Sequence, residues 1–195
     1  MKTKLFLATL LLLSVFALSA QEKRYEIKSA IMTKTIDMMG QKVDGVQYID
    51  DYGSKESAVV NMPMQGVPGA FIHVRTINKG DTVITVNLEL KTGNKAALPE
   101  KPVNYLNLTE EVKSKYNFKE LEKEEVAGKL CNKYSLEVSQ MGQQVLTTVC
   151  VWKGIVLKSV ISAAGISMTE LATDIQENVM VDAENFSIPD GVVFQ

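Results

Sequence analysis

The chain has 195 residues, an apolar fraction of 46% and a formal net charge of −2 at pH 7. This length is enough for one domain with a buried core. The small acidic excess, with no basic run longer than the pair Lys23-Arg24, argues against nucleic acid or an anionic membrane surface as the main partner.

The first twenty residues have the pattern of a secretory signal peptide. Lys2 and Lys4 form a basic start, residues 5–18 are almost entirely apolar, and small residues end the segment at Ala20. An apolar stretch of this length is too short to cross roughly 30 Å of hydrocarbon as a helix. We therefore predict cleavage near Ala20, a periplasmic location, and a single soluble β-rich domain over residues 21–195 without a transmembrane segment.

The next part of the chain alternates apolar and polar residues with a period of two. This period is typical of antiparallel strands that bury one face. Clusters of Asp, Gly, Asn and Pro separate the runs and predict turns. The predicted strands of this half are 25–32, a strand through Val46 and Tyr48, 57–62, 71–76 and 82–88.

Residues 91–104 are rich in Lys, Pro, Gly and Asn and predict a long surface loop. A short helix is predicted directly after it. Asn107 or Thr109 can cap its start, acidic residues follow in the first turn, and Lys113 and Lys115 lie in the last. Such a short helix is not stable alone, so we expect it to pack on the sheet.

The period of two then returns and predicts a second set of antiparallel strands. A Met-Gly-Gln sequence occurs at residues 39–41 and again at 141–143, each time between two alternating runs, and both are predicted hairpin tips. They indicate either two quasi-repeated halves or a coincidence of turn chemistry. The remaining predicted elements are strands at 118–125, 130–138, 144–152, 155–162 and 166–175, with a helical turn at 182–185.

Cys131 and Cys150 are the only cysteines, and their even number in an exported chain predicts a structural disulfide. The strands that contain them form a predicted hairpin. A four-residue loop would place the two cysteines directly opposite each other, and a two-residue loop would make them diagonal neighbours. Both arrangements are interpreted as being within bridging reach. A redox-active pair is disfavoured because the Cys-x-x-Cys spacing is absent.

No catalytic or metal-binding constellation stands out. His73 is the only histidine, whereas a catalytic triad needs a base beside a nucleophile and most zinc sites need several ligands. The acidic residues Asp50-Asp51 and those at 122–125 are explained by turn chemistry and solvation. We predict no enzymatic activity, no catalytic residues, no metal and no cofactor.

Methionine is the less ordinary feature, with nine in the chain and two close together in Met62-Pro63-Met64. Three interpretations are open. The methionines can fill gaps in a β core, line an adaptable surface for lipid or hydrophobic partners, or supply thioethers to a soft metal such as Cu(I).

The second half of the chain resembles a family of uncharacterised periplasmic proteins. The resemblance depends on residues 127–134 (AGKLCNKY), 151–158 (VWKGIVLK) and 186–192 (FSIPDGV), and in strand order it covers roughly residues 24–192. That family is similar in outline to the lipoprotein carriers LolA and LolB. The resemblance implies an incomplete β-barrel, a curled antiparallel sheet with a hydrophobic concave face. Only one clear helix is present, where the carriers use more to cover the cavity.

Together these features predict a mainly β (α+β) fold of about ten strands, with one or two short helices packed on one face. The first functional hypothesis is a periplasmic binding or carrier protein for a lipid-like or other hydrophobic group in the concave face. The second is a non-enzymatic structural or protein-interaction module of the cell envelope. A hydrolase that uses acidic residues ranks below both. An apolar cavity would favour the first, and an exposed apolar patch or an unpaired edge strand the second.

Overall fold

A computed structural model of the chain describes residues 23–38, 40–64, 67, 69–98, 101–140, 143–163 and 165–195. The predicted signal peptide, Met39 of the first predicted hairpin tip and residues 141–142 of the second lie outside these ranges.

The described residues form one open, curled sheet of twelve strands, so the predicted mainly β fold is confirmed with two more strands than expected. They also contain one short α-helix, α1 (Glu110–Lys115), and two 3-10 turns, at Asp51–Gly53 and Ala183–Phe186. The strands are β1 (Ala30–Met38), β2 (Gln41–Asp50), β3 (Lys55–Pro63), β4 (Phe71–Lys79), β5 (Thr82–Asn87), β6 (Thr92–Ala97), β7 (Lys119–Val126), β8 (Lys129–Gln140), β9 (Gln143–Trp152), β10 (Ile155–Ala163), β11 (Ile166–Glu177) and β12 (Val193–Phe194).

Two antiparallel meanders meet at the first strand. The strand order is β12-β6-β5-β4-β3-β2-β1-β11-β10-β9-β8-β7, and β12 is parallel to β6 while the other neighbours are antiparallel. The strand β1 pairs with β2 on one side and with β11, from the far end of the chain, on the other. The first and second halves of the chain are therefore joined through β1.

The sequence prediction was wrong at the start of the first strand. The alternation begins at Tyr25, but the strand begins at Ala30. Before it, the backbone N–H groups of Arg24 and Tyr25 donate to Tyr52 O, and that of Glu26 donates to Lys153 O. Tyr25 and Ile27 are nevertheless buried, so the apolar alternation reports packing of an irregular segment rather than strand pairing.

The predicted loop at 91–104 was wrong in its first part. The strand β6 lies within it, paired with β5 on one side and with β12 on the other. Gly93 in β6 allows this pairing, since a Cβ there would lie 2.8 Å from the Phe194 ring. The strand sequence TGNKAA has no apolar alternation, so its formation depends on neighbours distant in sequence.

A connector, residues 101–118, leads from β6 at one end of the sheet to β7 at the other. It contains α1, whose first turn is capped by Thr109 as predicted, with Val112 N donating to Thr109 Oγ1 over 3.3 Å. Tyr105 and Phe118 of the connector pack against Tyr134, above the buried side chains of β8 and β9. We call the side of the sheet that the connector covers the connector face.

The C-terminal residues 183–195 pack on the opposite face of the sheet. There Ile188 and Phe194 lie against an apolar cluster formed by Ile77, Ile84 and Val86. The predicted helical turn near residue 182 is confirmed as Ala183–Phe186, and it lies on this face rather than beside α1.

The largest apolar cluster holds the two halves of the sheet together. Met32 and Ile49 from the first half pack with Ile155 and Leu157 from the second, and all four are almost fully buried. Burial of each such side chain stabilises the fold by about 1.5–3 kcal/mol. This end of the sheet is a closed core, which leaves the opposite end of the connector face as the accessible part.

Candidate functional site

The connector face has a polar end and an apolar end. Five adjacent strands, in the order β4-β3-β2-β1-β11, each carry a polar residue near the connector and apolar residues further along the same face. Asn78 is the direct partner of Glu56, and the other polar residues are diagonal neighbours on successive strands. We call the polar set the polar cluster, and its members are Lys34, Gln47, Glu56, Asn78 and Glu170.

An ion pair between β1 and β11 lies at the boundary between the two ends. Lys34 Nζ contacts Glu170 Oε1, with side-chain exposures of 12% for the lysine and 33% for the glutamate. Ile36 is the direct cross-strand partner of Glu170, so the apolar end begins one step beyond the ion pair. Two opposite charges at this depth are rare unless paired, and they mark a specific polar position on an otherwise apolar surface.

Glu56 is the buried carboxylate of the polar cluster. It accepts hydrogen bonds from Arg24 Nη1 at 2.9 Å, from the Tyr25 hydroxyl and from Asn78 Nδ2 at 3.2 Å. Burial, and then the Glu56 charge, raise the pKa of Tyr25 well above its usual value. Burial alone would lower the pKa of Arg24, but Tyr25 and Glu56 outweigh it and raise that pKa. Glu56 is therefore fully engaged in holding the chain before β1.

A cavity of about 280 Å³ lies between the polar cluster and the connector. Arg24 contributes a buried donor, its Nε, which has no hydrogen-bond partner among the described atoms. Burial raises the pKa of Tyr105, on the connector wall, to about 12, so this hydroxyl stays protonated. The cavity is lined by Arg24, Tyr25, Lys34, Gln47, Glu56, Pro102, Val103, Tyr105, Val156 and Glu170.

The apolar end of the connector face is only partly covered. Val43 and Val145 at this end are buried, but eight described side chains here are partly exposed and belong to none of the three apolar clusters. We call them the apolar patch, and they are Ile36, Met38, Val60, Met62, Ile72, Val74, Ile161 and Met168.

The opposite face of the same strands is more polar, although Phe71 and Leu171 are exposed there, at 51% and 37%. Thr35 and Asp37 alternate with patch residues on β1, Asn61 on β3 and His73 on β4. Eight partly exposed apolar side chains gathered at one end of the connector face present a surface for an apolar group, since scattered exposed apolar residues would not form one contiguous area.

The methionines divide between the core and this surface. Met32 is fully buried, whereas Met38, Met62 and Met168 belong to the apolar patch and Met64 is 41% exposed. Met32 therefore fits the interpretation of methionine as a core gap filler, and the methionines of the apolar patch fit the interpretation as an adaptable lining. Within the described residues, no three His, Cys, Asp or Glu side chains come together as metal ligands would.

Cys131 and Cys150 are buried free thiols in this structure. Lys133 is the direct partner of Cys150, which corresponds to the two-residue hairpin and makes the two cysteines diagonal neighbours. Diagonal positions lie roughly 7 Å apart, whereas a disulfide needs Cβ atoms about 4 Å apart. A bridge would require a backbone shift, and the disulfide stays a prediction. Burial, then Glu124, raises the pKa of Cys150 to about 11.

The other acidic and histidine candidates lie away from the connector face. Glu124 pairs with Lys133 at 2.7 Å and with Lys158 at 2.5 Å on the opposite face. His73 Nδ1 lies 2.5 Å from Glu89 Oε1 at an exposed position, and hydrogen bonds from His73 lower the pKa of Glu89. Glu124 also accepts a hydrogen bond from Cys150 Sγ at 3.5 Å, but the raised pKa of that thiol keeps it protonated. Both carboxylates are explained by their ion pairs.

Sequence reasoning missed the polar cluster. Lys34 and Glu170 are separated by 136 positions, and each looks like an ordinary polar residue in an alternating strand. The signal that could have found them is the face they share with Ile36 and Met168, where alternation would have put apolar residues.

None of the helices in the described residues is long and apolar enough to cross a membrane.

Solved structures similar to this one were found, although no protein-family model and no curated protein sequence matches the chain. An uncharacterised conserved protein from Thermus thermophilus aligns over 91% of this chain and 98% of its own, with 10% identity and a TM-score of 0.56. A chain of the Pseudomonas aeruginosa MucA/MucB complex aligns over 85% of this chain and 57% of its own, with 14% identity and a TM-score of 0.53.

A putative outer membrane lipoprotein-sorting protein domain from Vibrio parahaemolyticus aligns over 86% of this chain and 94% of its own, with 14% identity and a TM-score of 0.39. At such low identities, the likenesses to the Thermus protein and to the MucA/MucB chain are of fold alone. The curled antiparallel sheet that the resemblance implies is confirmed at that level.

Proposed function

We propose that the protein is an exported, non-enzymatic binding or carrier protein of the periplasm, which holds a lipid-like or other hydrophobic group on the apolar patch. The observation that carries this proposal is the concentration of partly exposed apolar side chains at one end of the connector face. The signal-like residues 1–20 support export, and the adaptable side chains of Met38, Met62 and Met168 suit a flexible apolar ligand.

The first test is native mass spectrometry with organic extraction, on mature protein purified from a bacterial periplasm without detergent. We expect a reproducible co-purifying apolar molecule, which would also identify the ligand class. An empty protein that takes up no member of a lipid panel would contradict the proposal.

A pair of neighbouring substitutions tests the location of the site. Met62 lies in the apolar patch and Asn61, the preceding residue, points to the opposite face. A charge brought into an apolar contact is costly, so we expect Met62→Lys to weaken binding of an apolar fluorescent probe by about tenfold or more. Asn61→Lys should leave binding unchanged. Thermal unfolding of both variants shows whether the fold is kept, and Ile72→Lys replaces Met62→Lys if it is not.

The second candidate is a protein-interaction module. It is favoured by β7, which pairs only with β8 within the described sheet and so presents one free edge of backbone N–H and C=O groups. The similar fold in the MucA/MucB complex, a complex of two proteins, agrees with it. The charged sequence KELEKEEV on β7 also protects an edge against unspecific pairing, so this candidate ranks second.

A further inference from the structure

We propose that the polar cluster recognises a zwitterionic headgroup, an amine together with a phosphate, of an amphiphile whose tail lies on the apolar patch. This inference rests on the proposed function and names its ligand class. It starts from the sequence of side chains along β1, where Lys34 is followed on the same face by Ile36 and Met38.

The geometry of the connector face matches the two parts of an amphiphile. From Lys34 to Met38 the strand advances by four residues, which is about 14 Å at roughly 3.4 Å per residue. Across the ion pair, β11 has the same order, with Glu170 followed by Met168. An apolar chain along these strands therefore has its polar end at the Lys34–Glu170 pair.

The cavity behind this pair has donors available for a ligand oxygen. Lys34 lines it, and so does Arg24, whose buried Nε is unpaired among the described atoms. A buried donor without a partner costs free energy unless a ligand or water accepts from it. Phosphate oxygens accept hydrogen bonds strongly from both kinds of group.

The charges lining the cavity favour a zwitterion over an ion of either sign. Arg24 and Lys34 are balanced by Glu56 and Glu170. Glu56 is engaged by Arg24, Tyr25 and Asn78, whereas Glu170 pairs with Lys34 and keeps 33% of its side chain exposed.

An anionic headgroup that took Lys34 would leave Glu170 as a partly buried unpaired charge beside it, and a cationic headgroup that took Glu170 would do the same to Lys34. A zwitterion supplies a partner to each: its phosphate to Lys34 and Arg24, its ammonium to Glu170.

The test compares lipids with one lauroyl chain and different headgroups, added to the full mature protein. The probes are lauroyl lysophosphatidylethanolamine, lauroyl lysophosphatidylglycerol and monolauroylglycerol, with glycerophosphoethanolamine as the headgroup without a tail. We expect the zwitterionic lipid to bind about tenfold more tightly than the uncharged one, the effect of one charged hydrogen bond. The free headgroup should not bind measurably, since the tail supplies the remaining affinity.

Substitutions then locate the preference. Lys34→Met should abolish the tighter binding of the zwitterionic lipid and leave monolauroylglycerol unaffected. Lys158→Met is the matched control, because Lys158 forms an equivalent ion pair with Glu124 on the opposite face. This substitution should change the binding affinity of neither lipid. Thermal unfolding checks each variant, and Glu170→Gln tests the same preference if Lys34→Met does not fold.

The outcomes separate this inference from the proposed function. Equal binding of all three lipids, or tighter binding of the anionic lipid, overturns the zwitterion inference and leaves the apolar site in place. Binding of the headgroup without its tail overturns the amphiphile geometry. Failure of all three lipids to bind overturns the proposed function itself.

Discussion

The hydroxyl of Tyr25 donates a hydrogen bond to the carboxylate of Glu56, which fastens the segment before β1 to the start of β3. The same carboxylate accepts from Arg24. Glu56 is 5% exposed, so its charge depends on these donors for solvation. The residues nearest to the predicted cleavage point thus contribute to the wall of the candidate site.

Removal of Glu56 should destabilise the fold strongly. Glu56→Ala leaves the partly buried guanidinium of Arg24 without its carboxylate and the buried hydroxyl of Tyr25 without an acceptor. We expect a loss of about 3 kcal/mol in the free energy of unfolding. Urea denaturation of the mature protein measures it. Glu26→Ala, at an exposed position in the same segment, is the control and should change stability by less than about 0.5 kcal/mol. Equal effects of the two would show that the Glu56 network does not hold this segment.

The pair of lysines around Glu124 should make stability depend on acid pH. Hydrogen bonds from Lys133 and then Lys158 lower the pKa of Glu124 from 4.5 to about 2. A carboxylate with a lowered pKa stabilises the fold fully above 4.5, and this contribution is lost as the pH falls towards 2.

Glu124→Gln should therefore destabilise the protein by about 1 kcal/mol at pH 7 and by almost nothing near pH 2. Thermal unfolding at pH 7, 4 and 2.5 measures the difference from the unaltered protein. Glu122→Gln, an exposed residue on the same strand, is the control. A destabilisation that stays constant over this range would mean that the lysines do not hold the Glu124 charge.

The two cysteines should be unreactive until the protein unfolds. Both are buried, and burial raises the pKa of each thiol, so little thiolate is present at neutral pH. We expect iodoacetamide to label neither cysteine in the native protein. Labelling of both cysteines in urea without reductant, counted by mass spectrometry, would contradict the predicted disulfide. Labelling in urea only after reduction would establish the disulfide between Cys131 and Cys150 instead.

Alanine substitutions at two glycines should show how much a steric overlap adds to the cost of backbone strain. Gly154 and Gly128 both have positive φ, but a Cβ at Gly154 would lie 2.4 Å from Arg24 O, whereas a Cβ at Gly128 meets nothing within 4 Å. Gly128→Ala should cost about 1 kcal/mol, the strain alone. Gly154→Ala should cost about 2 kcal/mol more, because Arg24 must move. Chemical denaturation measures the free energy of unfolding of both variants. Similar losses in the two would mean that Arg24 can shift away from the new Cβ without destabilising the fold.

The sequence was sufficient for the antiparallel sheet because alternation is a local signal. It located most strands, the Thr109 cap and the C-terminal helical turn. It failed for β6, whose sequence has no alternation and whose pairing with β12 depends on residues at the far end of the chain. It also took Tyr25 and Ile27 for a strand, since burial produces the same pattern with or without strand pairing.

The candidate site was less accessible to prediction than the fold. The methionines indicated an apolar lining, and several do lie in the apolar patch. Lys34 and Glu170 each interrupt an apolar alternation locally, but that they pair could not be predicted, because their pairing joins the two ends of the chain. Which face of each strand would stay uncovered was equally hidden, since it depends on the path of the connector.

The central position of β1 has a consequence for how the protein is made. This strand is among the first to be synthesised, yet its partner β11 is completed only when the chain reaches Glu177. Until then, one edge of β1 is unpaired and the apolar side chains around Met32 are exposed, which is the condition under which β-proteins fold slowly and associate wrongly. A chain truncated before Ile166 would keep that edge open permanently, so proteolysis in the second half should destroy the binding surface, which both halves form.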